Sequence, residues 1–156
     1  MQTISGLLGE LTPEQRERLR ALGHEVSFDA GDRIFEEGGR ADRFWILHTG
    51  SATLDMHVPG HRDVVIDHVR HGELLGWHWM FKPYVWTLGA QAESPVRALE
   101  FDAKSVRVLC DEDLELGLTL TRAVASTIGD RLQRSRARLI DLFGPYAPRD
   151  HTPGAV

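Results

Sequence analysis

Between residues 26 and 101, short runs of alternating apolar and polar residues are broken by glycines at 31, 38, 39, 50, 60, 72, 76 and 89. Alternation with a period of two marks half-buried strands, and frequent turn residues between them point to a barrel or double-sheet roll. The strands expected are 26–28, 33–35, 43–47, 51–58, 63–69, 85–92 and 96–101. Val58-Pro59-Gly60-His61 sets Pro and Gly at the two central positions of a hairpin turn. On either side of this region the pattern becomes helical. Thr12-Pro13-Glu14-Gln15 is a helix start, with Thr12 as N-cap, Pro13 first in the helix and Gln15 placed to close a capping box. Leu19 and Leu22 give that helix an apolar edge, and Gly23 is its expected C-cap.

After Phe101, Asp102 caps a short helix over 103–110, and Asp111-Glu112-Asp113 opens a longer one. Leu114, Leu118, Thr121, Ala125, Ile128, Leu132, Ser135, Leu139 and Leu142 recur at alternate spacings of four and three. A seam of that kind is the signal for a coiled coil, and it predicts a homodimer joined along this helix. Leu116, Leu120, Ala123 and Val124 make a second apolar face, so one face can pack on the roll and the other on a second copy. Gly144-Pro145 ends the helix. The organisation expected is a helical segment over 1–25, a β-roll over 26–101, helices over 102–143 and a flexible tail over 144–156. In fold class this is α+β, mainly β.

With 156 residues and a formal charge of −5, the chain has room for one core and lacks the net basic face that broad nucleic-acid binding needs. Cys110 is alone, which excludes an internal disulfide and fits a reducing compartment. No basic leader or long apolar run appears, so a cytoplasmic protein without membrane contact is expected.

The stretch with most chemistry is Gly72-Glu73-Leu74-Leu75-Gly76-Trp77-His78-Trp79, followed by Val85-Trp86-Thr87-Leu88-Gly89-Ala90-Gln91-Ala92. It reads as a turn, one short helical turn, a Pro-containing loop and a returning strand. Backbone N–H groups at the start of the helical turn, with a carboxylate beside them, suit an anionic ligand. Five aromatics, Trp77, Trp79, Phe81, Tyr84 and Trp86, crowd ten residues. They either wall a flat apolar ligand site or fill the pocket themselves.

Three motifs resemble one family. Phe28-Asp29-Ala30-Gly31-Asp32-Arg33-Ile34-Phe35-Glu36-Glu37-Gly38 is similar to the strand–turn G-D-x-I-F-x-E-G of cyclic-nucleotide-binding domains. Ala41-Asp42-Arg43-Phe44-Trp45-Ile46-Leu47 with Gly50-Ser51-Ala52 resembles the family's next conserved stretch, and Gly72-Glu73-Leu74 its phosphate-binding cassette. The resemblance spans residues 26–143 and implies a β-roll with a long dimerisation helix. It further implies that Glu73 takes a ribose hydroxyl. The arginine that pairs with the cyclic phosphate falls on Trp86, with Thr87 next; a slip of one residue gives Val85. Neither is basic, and no Arg or Lys occurs from Pro83 to Val96. Lys82, in the cassette loop, is a point charge without the arginine fork. Weak or absent cyclic-nucleotide binding is therefore expected. The candidate ligand residues are Gly72, Glu73, Leu74, Leu75, Trp77, His78, Trp86 and Thr87.

Other chemistry adds less. With one cysteine no zinc-type cluster can form, and a haem or metal would have to use His78 or the pair His68 and His71. Arg131, Arg134, Arg136 and Arg138 read as a solvated helix end complementing the dipole, with an acidic partner as the alternative. Ser51 and Ser94 have no His/Asp context, and no nucleotide-binding fingerprint occurs, so no enzyme is expected. The regulators that share this domain carry a helix-turn-helix after the long helix. Here 13 residues follow Phe143, too few for one. The resulting expectation is a dimeric, non-catalytic sensor acting through a protein partner, with a self-filled structural adaptor or a haem sensor as alternatives.

Overall fold

The computed structural model describes residues 6–143. Two four-stranded antiparallel sheets face each other as a β-roll. β1 (Gly23–Phe28), β8 (Val96–Asp102), β3 (Arg43–Thr49) and β6 (Leu74–Leu75) form one. β2 (Arg33–Phe35), β7 (Gly89–Ala92), β4 (Ala52–Met56) and β5 (Val64–Val69) form the other. Before the roll lies α1 (Pro13–Arg20); after it come α2 (Ala103–Glu112) and α3 (Leu114–Phe143).

Local chemistry accounts for the helix boundaries. Thr12 and Gln15 form the reciprocal capping box, at 3.2 and 3.1 Å. Asp102 accepts from the Ser105 amide and hydroxyl at 3.0 and 2.8 Å, which holds its carboxyl below the ordinary value. Asp113 accepts from the Leu116 amide at 3.1 Å and begins α3.

β3 carries four consecutive buried residues, Phe44 to Leu47, because it is covered on both faces. Its Phe44 stacks on Phe101 at 4.8 Å and on Trp79 at 4.1 Å. That aromatic column joins the paired strands β3 and β8 to the cassette loop. In the other sheet Arg33 grips the buried Asp55 with both guanidinium nitrogens, at 2.5 and 3.0 Å, and also pairs with Glu36.

Several boundaries differ from the sequence expectation. Gly23 begins β1 instead of capping α1, whose C-cap is Ala21; the pairing Gly23↔Phe101 claims it for the sheet. The roll therefore begins three residues before Val26. Leu74 and Leu75, read as helical, pair with Ile46 and Trp45 as β6. The returning strand begins only at Gly89, because residues 81–88 follow an irregular path with a single bridge, Arg40↔Val85. The tail over 144–156 and the first five residues lie outside the described residues.

α3 shows both faces that its sequence suggested. Leu116, Leu120, Ala123 and Val124 are buried on the domain. Leu132, Leu139 and Leu142 are 50%, 53% and 61% exposed, and Leu114 and Leu118 are exposed as well. Thr121 and Ala125 also face outward, whereas Ile128 and Ser135 are half-buried. Among the described residues no helix is long and apolar enough to cross a membrane.

Candidate ligand site

The cassette is built around a glycine turn. Gly72 takes a positive φ, and its amide donates to the Leu47 carbonyl at 2.6 Å, which hangs the turn from the end of β3. After β6 the chain turns at Gly76, also at positive φ, and passes through a single 3-10 turn, His78–Met80. Three residues do not build a helix dipole, so the expected anion cradle at a helix N-terminus is not formed.

The aromatics divide their work. Trp79 and Trp86 belong to the core. The Trp86 ring is 3% exposed, stacks on Phe35 at 4.0 Å and lies so close to Gly76 that a Cβ there would meet it at 2.5 Å. Tyr84 sits under the Arg107 guanidinium at 4.2 Å. Trp77 is half-buried against the core; it stacks on His78 at 3.7 Å and meets the exposed Phe81 edge-on at 6.1 Å.

Between this loop and α3 lies a cavity of about 210 Å³. Phe35, Leu54, Gly76, Trp77, His78, Thr87 and Leu88 line it from the roll, and Ile128, Arg131, Leu132 and Ser135 from α3. His78 Nε2 is 2.7 Å from the Thr87 hydroxyl. Burial, with the neighbouring Arg131 charge second, lowers the His78 pKa to about 4, so the imidazole is neutral at pH 7. The cavity is therefore apolar with one cation.

That cation departs from the sequence reading. Arg131 was expected on a solvated helix end; instead it points into the domain and donates to the Leu74 carbonyl. Its Nε is buried with no hydrogen-bond partner, and burial lowers its pKa, opposed by Asp67 and Glu73 and reinforced by Arg134. Arg134 also turns inward, 3.3 Å from Asp67 and 3.8 Å from Glu73. Arg138 donates to the Ile66 carbonyl at 3.1 Å. Arg131 shares a helical face with Ile128 and Ser135, which the heptad spacing assigned to the outer seam and which in the structure line the cavity.

The predicted site residues are not gathered in one place. Trp77, His78 and Thr87 share the cavity, whereas Trp86 lies behind its wall in the core. Glu73 and Leu74 line a different cavity, of about 290 Å³, with Gly6, Glu10, Asp130 and Arg134. Leu75 is fully buried, and Gly72 forms the turn. Lys82 lines neither cavity. Among the described residues no group of three or more metal-ligating side chains converges.

Residues 25–113 match the sequence pattern that defines the cyclic nucleotide-binding domain. The chain belongs to that family. It is 25% identical over 144 residues to a CRP-like cAMP-activated global transcriptional regulator from Mycobacterium tuberculosis. That alignment takes in 92% of this chain, which spans 62% of the regulator's length. Two solved structures resemble the domain closely. One is the N-terminal domain of a transcriptional regulator from Streptomyces coelicolor A3(2), 27% identical with a TM-score of 0.70, covering 83% of this chain and 94% of its own. The other comes from Geobacter metallireducens GS-15 and is described as a candidate cyclic nucleotide-binding protein. It is 28% identical with a TM-score of 0.72, covering 81% of this chain and 91% of its own. The roll and helices of this cyclic nucleotide-binding domain are thus those of its family.

Proposed function

We propose that this cyclic nucleotide-binding domain is a non-catalytic sensor in which a small ligand is read directly by α3, and that it works as a dimer through the outer seam of that helix. One observation carries the reading: the cavity is walled by the cassette on one side and by Ile128, Arg131, Leu132 and Ser135 of α3 on the other. Any occupant touches the helix, so its binding energy differs between arrangements of α3, as coupling requires. The exposed seam, including Leu118, Leu132, Leu139 and Leu142, supports pairing of two copies.

Tight binding of cyclic AMP, the effector named in its mycobacterial relative, is not what these residues favour. The position of the family's arginine holds Trp86, which is committed to the core, and Glu73 faces Arg134 in the second cavity. At about 210 Å³ the cavity is also below the roughly 300–1,000 Å³ of ordinary small-molecule sites. The small volume left between the cassette and α3 favours a second reading, an adaptor whose pocket its own side chains have largely filled.

Hydrogen exchange of the full chain, with and without each ligand that calorimetry shows to bind, tests the sensor. Sensing predicts changed protection over residues 126–142. A bound ligand that leaves α3 unchanged would refute it, and a protein that takes no ligand of any class is the adaptor.

A further inference from the structure

Arg131 is an unusual wall for an apolar cavity. A buried charge is ordinarily paired, and a buried donor ordinarily has an acceptor. Among the described residues, however, no carboxylate lies within ion-pair distance of Arg131, and its Nε has no partner. The guanidinium spends one nitrogen on the Leu74 carbonyl and leaves the rest of its donor edge unused. Asp67 and Glu73 instead lie 3.3 and 3.8 Å from Arg134, with the Asp67 Oδ2 buried and without a hydrogen-bond partner.

The remaining wall fixes the rest of the chemistry. Phe35, Leu54 and Trp77 offer carbon surface, while Thr87 is already bonded to His78, which leaves Ser135 as the free hydroxyl of the lining. With His78 neutral, the cavity presents a single positive charge. Its volume equals that of roughly seven liquid water molecules, enough for one small ring and a charged group.

From this geometry we infer that the cavity binds a compact, apolar organic monoanion, such as a small aromatic carboxylate, with the anion on Arg131 and the ring against Trp77 and Phe35. Charge-assisted bonds to a guanidinium are the strong ones, and here the partner is held in place by Leu74 before the ligand arrives. The anion takes the part of the guanidinium that lines the cavity, where no carboxylate of the domain pairs with it. A dianion would bring a charge that the cavity does not match. This assignment rests on the sensor reading, since it names the class of ligand for the same cavity.

Calorimetry on the full chain with benzoate, phenylacetate and cyclohexanecarboxylate, against benzyl alcohol as the neutral analogue of benzoate, tests it. At least one carboxylate should saturate the protein. Benzoate should bind ten- to a hundredfold more tightly than benzyl alcohol, the range of a hydrogen bond to a charged group. Arg131→Gln should erase that preference, while Arg131→Lys should keep part of it. Where either variant unfolds, the wild-type comparison of acid with alcohol still decides. Equal affinity for benzoate and benzyl alcohol, or saturation by none of the carboxylates at millimolar concentration, overturns the inference. If those acids fail while cyclic AMP binds and alters α3 exchange, the sensor stands and the ligand class falls. If every probe fails, the ligand class falls, and the sensor falls with it only when no ligand of any class binds.

Discussion

Replacing Trp86 by Arg restores the family's charged residue at its aligned position, and the structure predicts that this costs stability without creating a phosphate site. The Trp86 ring is 3% exposed, stacked on Phe35 at 4.0 Å, tilted against Trp45 at 6.3 Å and pressed on Gly76. Removing a buried Trp side chain costs about 3–5 kcal/mol through lost transfer energy and the cavity left behind. Arginine fills part of that space but brings a charge with no acid waiting for it, so the loss should be at least about 4 kcal/mol. Against a domain stability of about 5–15 kcal/mol this is a large fraction. Urea unfolding followed by circular dichroism reads it directly. With a slope near 2 kcal/mol per molar, the midpoint should fall by about 2 M. Trp86→Phe, which keeps a stacking ring, should lose less. Protein concentration must be held fixed, since dimerisation would shift the apparent midpoint. A Trp86→Arg midpoint within about 0.5 M of wild type would refute the core assignment, because a core Trp cannot be exchanged for a cation at that cost. A gain in cyclic-AMP affinity in calorimetry would refute the argument that the cassette is closed here.

Leu132→Glu with Leu139→Glu should convert a homodimer to monomer in sedimentation, since both face outward on α3 and the acids would meet their own copies; an unchanged dimer would place the interface elsewhere. Asp55→Asn should cost about 3 kcal/mol in urea unfolding, the low end for breaking a buried pair because Arg33 is partly exposed and keeps Glu36; a change below about 1 kcal/mol would contradict it. His78 has a folded pKa of about 4, below its ordinary 6.5, from burial first and Arg131 second. Its neutral form is thus favoured by folding: the contribution is complete above pH 6.5 and lost as pH falls towards 4. His78→Gln should therefore lose less stability than wild type across that window, and parallel pH profiles would refute the assignment.

Much of the fold was legible because its signals are local. The Thr12–Gln15 capping box, the Asp102 cap and the two apolar faces of α3 each lie within a few residues of sequence, and all form. The turn glycines at 31, 38, 50, 60, 72 and 76 mark corners because they take positive φ. What the sequence hid depends on tertiary pairing. Leu74-Leu75 has no strand signature of its own and becomes one only beside Trp45 and Ile46. Charge alone could not separate Arg131 from Arg136, because both are arginines near the end of one helix. Their difference is angular: Arg131 shares a face with Ile128 and Ser135, and the roll lies on that side. Nor could the alignment of Trp86 with an arginine show that its ring had left the pocket for the core, which requires the proximity of Phe35 and Gly76.

The two halves of α3 are held to the domain by different forces, and that difference bears on how a signal would travel. Leu116, Leu120, Ala123 and Val124 bury the first half. Each such side chain contributes up to about 1.5–3 kcal/mol, less for alanine. Beyond Ile128 the attachment is chiefly polar, through Arg131 to Leu74, Arg134 to Asp67 and Glu73, and Arg138 to Ile66. A buried hydrogen bond from a charged donor such as Arg131 contributes about 1.5–3 kcal/mol. The exposed contacts of Arg134 and Arg138 contribute about 0–1 kcal/mol each, so the polar attachment is still less in sum than the four buried side chains. The second half is therefore the cheaper one to detach, and it is also the half that carries the cavity wall and the exposed Leu132, Leu139 and Leu142. A ligand that engages Arg131 competes with nothing in the first half of the helix. Its differential binding acts where the opposing energies are smallest, so the first half serves as the fixed end and the second as the part whose seating a small ligand can change.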